Sequence, residues 1–188
     1  MMFDNLRRRL YNYRIFQERG NTLIAYINST VYPACGGVPA DEEYMRLALD
    51  LAHKAARCDE VPVGALLVQN GRVIAAGHNR RERDRDALAH AELEVIRRGC
   101  KKVRGWRLEN CTLYVTLEPC PMCAGAIVNS RIRRVVFGAY DPKAGAAGSV
   151  FNLFEMPLNH KPEVTGGVLA EECGRVLTDF FKMKRGKK

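Results

Sequence analysis

Apolar residues along this chain fall into short runs that are separated by polar or breaker-rich stretches. Two of these runs, at 63–69 and 72–77, flank Asn70-Gly71. Asn-Gly between two apolar runs is the strongest short-range signal of a β-hairpin. Further runs predict strands at 112–117, 134–138 and 164–169, so the sequence predicts about five strands.

Helices are predicted where apolar residues recur at a helical period between these strands. Asp41 is suited to cap the first helix, whereas Gly99 and a basic turn end the second. Pro121 opens the third, since proline is tolerated in the first turn of a helix. The predicted helices cover residues 42–57, 88–100, the segment from 121 onward, and 170–184.

Strands that are apolar on both faces and alternate with helices indicate an α/β fold, with a central mixed sheet covered by helices on each side. Polar 79–86 and the Gly/Ala-rich 141–148 are predicted loops within one domain at 41–188. Residues 1–40 differ in composition and end in the breaker-rich stretch 33–39. We expect them to be either an N-terminal extension, poorly ordered or RNA-binding, or the result of a start codon placed too early.

The charge of the chain narrows the class of partner. Its 188 residues carry a formal net charge of +9, with a sequence pI near 9.4. This balance favours a polyanionic partner, with nucleic acid ahead of a membrane surface, although a generally basic protein is the alternative. No apolar run is long enough to span a bilayer, and no apolar segment follows Arg7-Arg8-Arg9. We therefore expect a cytoplasmic protein without a membrane partner.

The cysteines predict a metal site in a reducing compartment. There are seven, an odd number at irregular spacing, and only Cys120 and Cys123 form a close pair. A free cysteine beside apolar residues behaves as a small buried hydrophobe, so we expect the others in the domain to be structural. These are Cys58, Cys100, Cys111 and Cys173.

His90, Cys120 and Cys123 form the candidate metal site. One imidazole and two thiolates can hold zinc and leave its fourth position open for a water molecule of pKa about 7. Each ligand stands near the beginning of a predicted helix, whose positive end favours the thiolate form of cysteine. A redox pair and half of a zinc knuckle are the alternatives. A knuckle needs a fourth protein ligand, and His78 is the histidine whose loop lies nearest.

Glu92 stands two residues after His90 and is not needed as a ligand. A carboxylate there is placed to take a proton from the activated water and to return protons to a ring nitrogen and the leaving amine. The backbone amide of Ala91 is a candidate hydrogen-bond donor to the base. His-x-Glu followed by Pro-Cys-x-x-Cys is the recognised signature of zinc-dependent nucleobase deaminases, so the predicted chemistry is hydrolysis at an amine-bearing ring.

Further segments around this signature carry a resemblance over about residues 41–184. Together they resemble the bacterial tRNA-specific adenosine deaminases of the cytidine deaminase superfamily, and the stretches at 145–149 and 179–185 narrow the resemblance to the tRNA branch. The segments are 61–65, 89–92, 112–125, 130–132, 134–139, 145–149 and 179–185.

This resemblance implies a three-layer α/β/α cytidine deaminase-like fold, a homodimer, and one Zn²⁺ ion per subunit. It also implies conversion of the wobble adenosine of a tRNA anticodon stem-loop to inosine, on a flipped-out base. By the same resemblance, His90, Cys120 and Cys123 are the zinc ligands and Glu92 is the proton shuttle.

The resemblance further implies an RNA-binding surface around the site. It makes Asn79 a contact to the base, Asp141 and Lys143 part of a loop that borders the anticodon, and Phe181 and Arg185 part of an RNA-facing helix. Amide, aromatic and cationic groups suit these contacts. The alternatives are that Asn79 only favours a turn and that the basic cluster at the end of the chain is a solvated tail.

The chain departs from the family pattern ahead of the zinc histidine. Asp86-Ala87-Leu88 stands where the family commonly has Asp-Pro-Thr, and 80–85 is unusually charged. Two other functions stay open from the sequence. A free-nucleobase deaminase, such as one for guanine, shares the Pro-Cys-Pro-Met-Cys motif but has little use for a basic closing helix. A catalytically silent RNA-binding subunit has no need of Glu92.

Overall fold

A mixed sheet with the strand order β2-β1-β3-β4-β5 forms the centre of the domain. The computed structural model describes residues 41–186. In it β1 pairs antiparallel with β2 and β3, whereas β3, β4 and β5 are parallel, which confirms the predicted mixed sheet. The strands are β1 Gly64–Gln69, β2 Arg72–His78, β3 Cys111–Leu117, β4 Arg134–Ala139 and β5 Glu163–Thr165.

Helices cover both faces of this sheet. They are α1 Asp41–Arg57, the short α2 Arg81–Asp84, α3 Ala91–Val103, α4 Pro121–Asn129 and α5 Ala170–Arg185, with a 3-10 turn at Leu153–Glu155. Helices α1 and α5 pack on each other and on the sheet, and α3 and α4 do the same. Among the described residues no substantial packing joins the two pairs, so they lie on opposite faces, and the three-layer α/β/α arrangement is confirmed.

Alternate residues of a strand point to opposite sides of a sheet. Because helices cover both sides here, the strands carry apolar residues on both faces. On one face Leu67 joins the core that α3 and α4 cover, and burying a side chain of this size contributes about 1.5–3 kcal/mol. On the other face Tyr114 packs on Tyr44 of α1, with ring centroids 4.8 Å apart. Gly64 permits the close approach of α1, since a Cβ there would lie 2.1 Å from the carbonyl oxygen of Ala48.

One edge of the sheet gathers the segments that carry the candidate site. Strand β1 begins at this edge because it runs antiparallel to β3, and β2 ends there because His78 pairs with Gly64. Strands β3 and β4 also end there and lead to Cys120 and Asp141. In α/β folds, ligands bind beyond the carboxyl ends of parallel strands, which makes this edge the expected place for a site.

Helix α3 differs from its predicted range at both ends. It begins at Ala91 rather than at residue 88, and it continues past Gly99 to Val103. The predicted stop at Gly99 is wrong because this glycine serves packing: a Cβ there would lie 2.2 Å from a Leu67 methyl group. The helix ends instead at Arg104, whose φ of 56° is left-handed.

Three smaller predictions also differ from the structure. The loop predicted at 79–86 contains the helical turn α2. Strand β5 stops at Thr165 rather than 169, because Gly167 and Leu169 have φ values of 86° and 53°, which a strand does not allow. Asp41 is the first residue of α1, and its carboxylate accepts hydrogen bonds from Arg134 and Tyr114.

The N-terminal extension predicted at 1–40 lies outside the described residues. Within 41–186, the structure contains no helix that combines the length and the apolar character needed to cross a membrane.

Candidate functional site

His90, Cys120 and Cys123 come together at this edge of the sheet. His90 directly precedes α3, Cys120 directly precedes α4, and Cys123 lies in the first turn of α4. His90 Nδ1 is 3.5 Å from Cys123 Sγ and 3.8 Å from Cys120 Sγ. Pro121 at the start of α4 fixes the turn that places both sulfur atoms beside the imidazole.

The three ligand atoms fit a tetrahedral zinc ion. Bond lengths of about 2.0 Å to nitrogen and 2.3 Å to sulfur place a nitrogen and a sulfur ligand about 3.5 Å apart at the tetrahedral angle, close to the two sulfur–nitrogen distances of 3.5 and 3.8 Å. In the described part of the chain, these are the only three or more His, Cys, Asp or Glu residues grouped closely enough to hold a metal. His78 does not join them, since its Nδ1 contacts the carbonyl oxygen of Asn79 at 2.8 Å. Within residues 41–186 the knuckle alternative therefore lacks its fourth protein ligand.

The electrostatics of the group favour a cation. The pKa of Cys120 is lowered to about 4, mainly because the Cys123 thiol donates a hydrogen bond to its sulfur, and His90 adds to this effect. The same contact with Cys120 raises the pKa of His90. Cys120 is therefore a thiolate at neutral pH, as a metal ligand must be.

Glu92 lies beside this group in the first turn of α3. It is 4% exposed, and burial raises the pKa of its carboxyl group. A carboxyl group whose pKa is shifted towards neutrality is suited both to accept and to release a proton. The carboxyl group thus lies beside the candidate metal ligands, where the sequence predicts a proton shuttle.

A cavity of about 220 Å³ opens above the three ligands. Five of the predicted site residues besides Cys120 line it, namely Asn79, His90, Ala91, Glu92 and Asp141, and Cys123 is buried below. The remaining lining residues are Val61, Val63, Arg81, Leu117, Glu118 and Ala144. The cavity thus combines apolar walls with a few polar groups, as sites for small ligands and bases do.

Three predicted RNA contacts lie outside the cavity. Lys143 is exposed, and its backbone N–H donates to Asp141 Oδ1 at 3.0 Å, so it stands two residues from the cavity wall. Phe181 is exposed on α5, whereas its neighbour Phe180 is buried, as expected for one core-facing and one free ring. Arg185 is exposed at the end of the same helix.

Two buried carboxylates beside the cavity were not predicted. Glu118 accepts from the backbone N–H groups of Asp141, Ala147 and Ser149 at 2.9–3.0 Å, and from the Ser149 hydroxyl. Burial opposes ionisation of this carboxyl group, but these hydrogen bonds outweigh it and lower the pKa of Glu118. Glu60 similarly accepts from Asn79, Glu82 and Arg83. The only sequence signal for either was an acidic residue next to an apolar strand.

Comparison with known proteins places the chain among deaminases. The sequence profile of the MafB19-like deaminases matches residues 40–185. The tRNA-specific adenosine deaminase of Bacillus subtilis (strain 168) is 56% identical over 149 residues, which cover 79% of this chain and 92% of that protein.

Solved structures give the same result. One, from studies of A-to-I editing by tRNA:A34 deaminases at the wobble position of transfer RNA, has a TM-score of 0.70 at 48% identity and covers 71% of this chain and 98% of the other. The guanine deaminase of Nitrosomonas europaea has a TM-score of 0.66 at 26% identity, over 84% of this chain and 91% of that one.

Proposed function

Because this chain belongs to the tRNA-specific adenosine deaminases, we propose that it hydrolyses the adenosine at the wobble position of a tRNA anticodon to inosine and ammonia. The observation that carries this proposal is the His90, Cys120 and Cys123 group beside a buried Glu92, at the base of a cavity open to one side. Hydrolytic deamination needs a metal site with one free position and a proton carrier, and this arrangement supplies both.

The side chains divide the reaction between them. A zinc ion held by His90, Cys120 and Cys123, one per subunit, would keep a coordination position open for water and lower the pKa of that water. Glu92 takes a proton from the attacking water and gives it to the adjacent ring nitrogen. It then takes the second proton from the hydroxyl group newly bound to the ring carbon and gives it to the amine, which leaves as ammonia. The Ala91 backbone and the Asn79 side chain line the cavity where the base is held.

RNA reaches this cavity as a single-stranded loop, because the target atom of a base is not accessible inside a duplex. We propose that Asp141 and Lys143 border the anticodon on one side, and that Phe181 and Arg185 of α5 contact it beyond the cavity. The net charge of +9 favours this polyanionic partner. Arg81, which lines the cavity mouth, adds a positive group next to the base.

We further propose a homodimer that acts in the cytoplasm. Apolar side chains remain exposed in the segment that follows the cavity loop, and a second copy would remove them from water. They are Val150, Phe151, Met156 and Leu158.

The test is incubation of the purified protein with an anticodon stem-loop that carries adenosine at the wobble position. We expect inosine as the product, and Glu92→Ala should retain zinc yet lose activity by at least about a hundredfold, the usual size of a general acid–base contribution. No inosine from zinc-loaded wild-type protein would refute the proposed function. Activity that survives in Glu92→Ala would refute the proton shuttle.

Deamination of free guanine is the second candidate, favoured by the structural likeness to a guanine deaminase at 26% identity. The same assay separates the two functions when free guanine is offered alongside the stem-loop. Turnover of guanine without any change in the RNA would favour this candidate.

A further inference from the structure

We infer that Glu60 is a positioning residue that fixes the orientation of the Asn79 amide, so that the cavity presents a hydrogen-bond acceptor to the substrate. Glu60 lies in the turn between α1 and β1, is 1% exposed, and does not line the cavity. It therefore acts through Asn79 and not on the substrate. The inference rests on the proposed function, because it concerns how the same cavity distinguishes nucleosides.

The contacts of Glu60 determine which way the amide faces. Its Oε1 accepts from the Arg83 backbone N–H at 2.8 Å, and its Oε2 accepts from the Glu82 backbone N–H at 3.2 Å and from Asn79 Nδ2 at 3.3 Å. A carboxylate has acceptors only, so it binds the amide nitrogen of Asn79 and excludes the amide oxygen. The amide oxygen must point away from Glu60.

Asn79 Oδ1 has no hydrogen-bond partner among residues 41–186. No donor in this part of the chain lies within hydrogen-bond distance of the atom. The atom is also not fully buried, because the fully buried polar side-chain atoms that lack a partner do not include it. Asn79 lines the cavity, and its backbone N–H donates to the Val63 carbonyl oxygen at 3.0 Å, which holds the residue in place. The free oxygen is therefore open to the cavity.

An acceptor fixed at this point selects for a donor on the nucleoside. The exocyclic amine and the ribose hydroxyls are the donors that an adenosine offers. A buried acceptor that meets no donor costs free energy, so the site rejects an analogue that lacks the matching group. If the amide turned over, the cavity would present a donor instead and this preference would be lost.

The first test exchanges the groups of the pair. Glu60→Gln should lower kcat/KM on the stem-loop by about tenfold, because its amide nitrogen competes with that of Asn79. Asn79→Asp should lower it further, since two carboxylates then face each other. The double variant restores a donor–acceptor pair and leaves an oxygen at the cavity, so it should recover about tenfold over Asn79→Asp, within the coupling known for contacting residues.

Glu42→Gln, a change of the same kind on the exposed face of α1, is the control and should behave as wild type. The melting temperature and zinc content of each variant show whether the fold is retained. Wild-type kcat/KM in Glu60→Gln, or a double variant no better than Asn79→Asp, would overturn the role of Glu60. A wild-type protein that forms no inosine would instead overturn the proposed function.

The second test measures the orientation of the amide directly. In a Glu92→Ala background, which prevents turnover, stem-loops with adenosine, purine riboside or 2′-deoxyadenosine at the wobble position are compared for affinity. We expect Glu60 to confer about tenfold or greater preference for the loop that retains the donor, the amine or the 2′-hydroxyl, and Glu60→Gln to abolish it. Equal affinities for all three loops with Glu60 present, or a preference that survives in Glu60→Gln, would overturn the inference.

Discussion

At the scale of single residues, the chemistry of the candidate site is concentrated in the few side chains that could hold a metal ion. His90, Cys120 and Cys123 each stand at a helix beginning, where unpaired backbone N–H groups favour negative charge. The candidate ligands thus lie at the N-terminal ends of two helices, α3 and α4, which meet at the same edge of the sheet.

Replacement of Cys123 should remove the metal without removing the fold. We expect Cys123→Ser to lower bound zinc to well below one ion per chain, because a hydroxyl is a poor replacement for a thiolate ligand. Atomic absorption on the purified protein gives the zinc content. Cys173→Ser is the matched control, because Cys173 is also buried but belongs to α5 and is not part of the group. Full zinc content in Cys123→Ser would exclude Cys123 as a ligand.

The sequence predicted those residues whose partners have a fixed spacing and missed those whose partners are backbone groups. His90, Cys120 and Cys123 form a recognisable pattern because a metal ion would constrain all three, and Glu92 stands at a fixed place beside His90 within that pattern. Glu60 and Glu118 instead accept N–H groups from loops far along the chain, up to 31 residues away. Every residue type except proline can supply a backbone N–H, so no pattern of side chains indicates such carboxylates.

At the scale of elements, Asp41 joins the first turn of α1 to the sheet. Its carboxylate accepts from both terminal nitrogens of Arg134 in β4, at 2.7 and 2.8 Å, and from the Tyr114 hydroxyl in β3 at 2.9 Å. Mainly because of the hydrogen bond from Arg134, the pKa of Asp41 is lowered from its ordinary value of 3.8. The pair is partly exposed, so its contribution is modest.

This pair predicts a dependence of stability on pH. Since the pKa of Asp41 is lower in the folded protein, its contribution is present above pH 3.8 and is lost as the pH falls through the folded value. Asp41→Asn should lower the free energy of unfolding by about 1 kcal/mol at pH 7 and by much less near pH 3. Urea unfolding at both pH values measures the difference. Glu42→Gln should show almost no effect at either pH, and an equal loss for Asp41→Asn at both would contradict the assignment.

The type and approximate place of most helices and strands could be predicted from the sequence, whereas their exact ends could not. The period of apolar residues depends on burial, so β1 to β4 and the four long helices were predicted in type and approximate place. Ends depend on single contacts between distant segments. Helix α3 continues through Gly99, where the Leu67 side chain occupies the space beside the missing Cβ. Leu67 is distant in the sequence, so the residues around Gly99 do not predict this contact.

At the scale of the whole molecule, positive charge is concentrated on two helices. Arg81 of α2 lines the cavity and Arg83 follows it on the same helix, whereas Lys182, Lys184 and Arg185 occupy the last turn of α5. Lys184 also binds Asp59 at 2.5 Å, which ties the end of α5 to the turn that contains Glu60. The charge is thus attached to the segments that form the cavity.

Removal of the two arginines of α2, of which Arg81 lines the cavity, should weaken RNA binding and reduce its response to salt. Arg81→Ala/Arg83→Ala should lower the slope of log K against log salt by about 0.7 for each lost phosphate contact. Filter binding of the stem-loop between low and physiological salt measures this slope. The matched control is Lys101→Ala/Lys102→Ala, in the last turn of α3 and about 15 Å from Ala91 along the helix axis. An equal change in both variants would show that only net charge matters.

The strand order has a consequence for the folding of this chain. The hairpin of β1 and β2 is local, but β1 also pairs with β3. This second pairing forms only when residues more than 40 positions apart in the sequence meet, for example Gln69 and Cys111. In the sequence, His90 lies before β3, and Cys120 and Cys123 lie after it. A metal ion held by all three residues therefore binds once β3 has paired with β1, and its binding energy adds to the stability of the fold. Assembly of the metal centre thus depends on the one long-range pairing that joins the hairpin to the rest of the sheet.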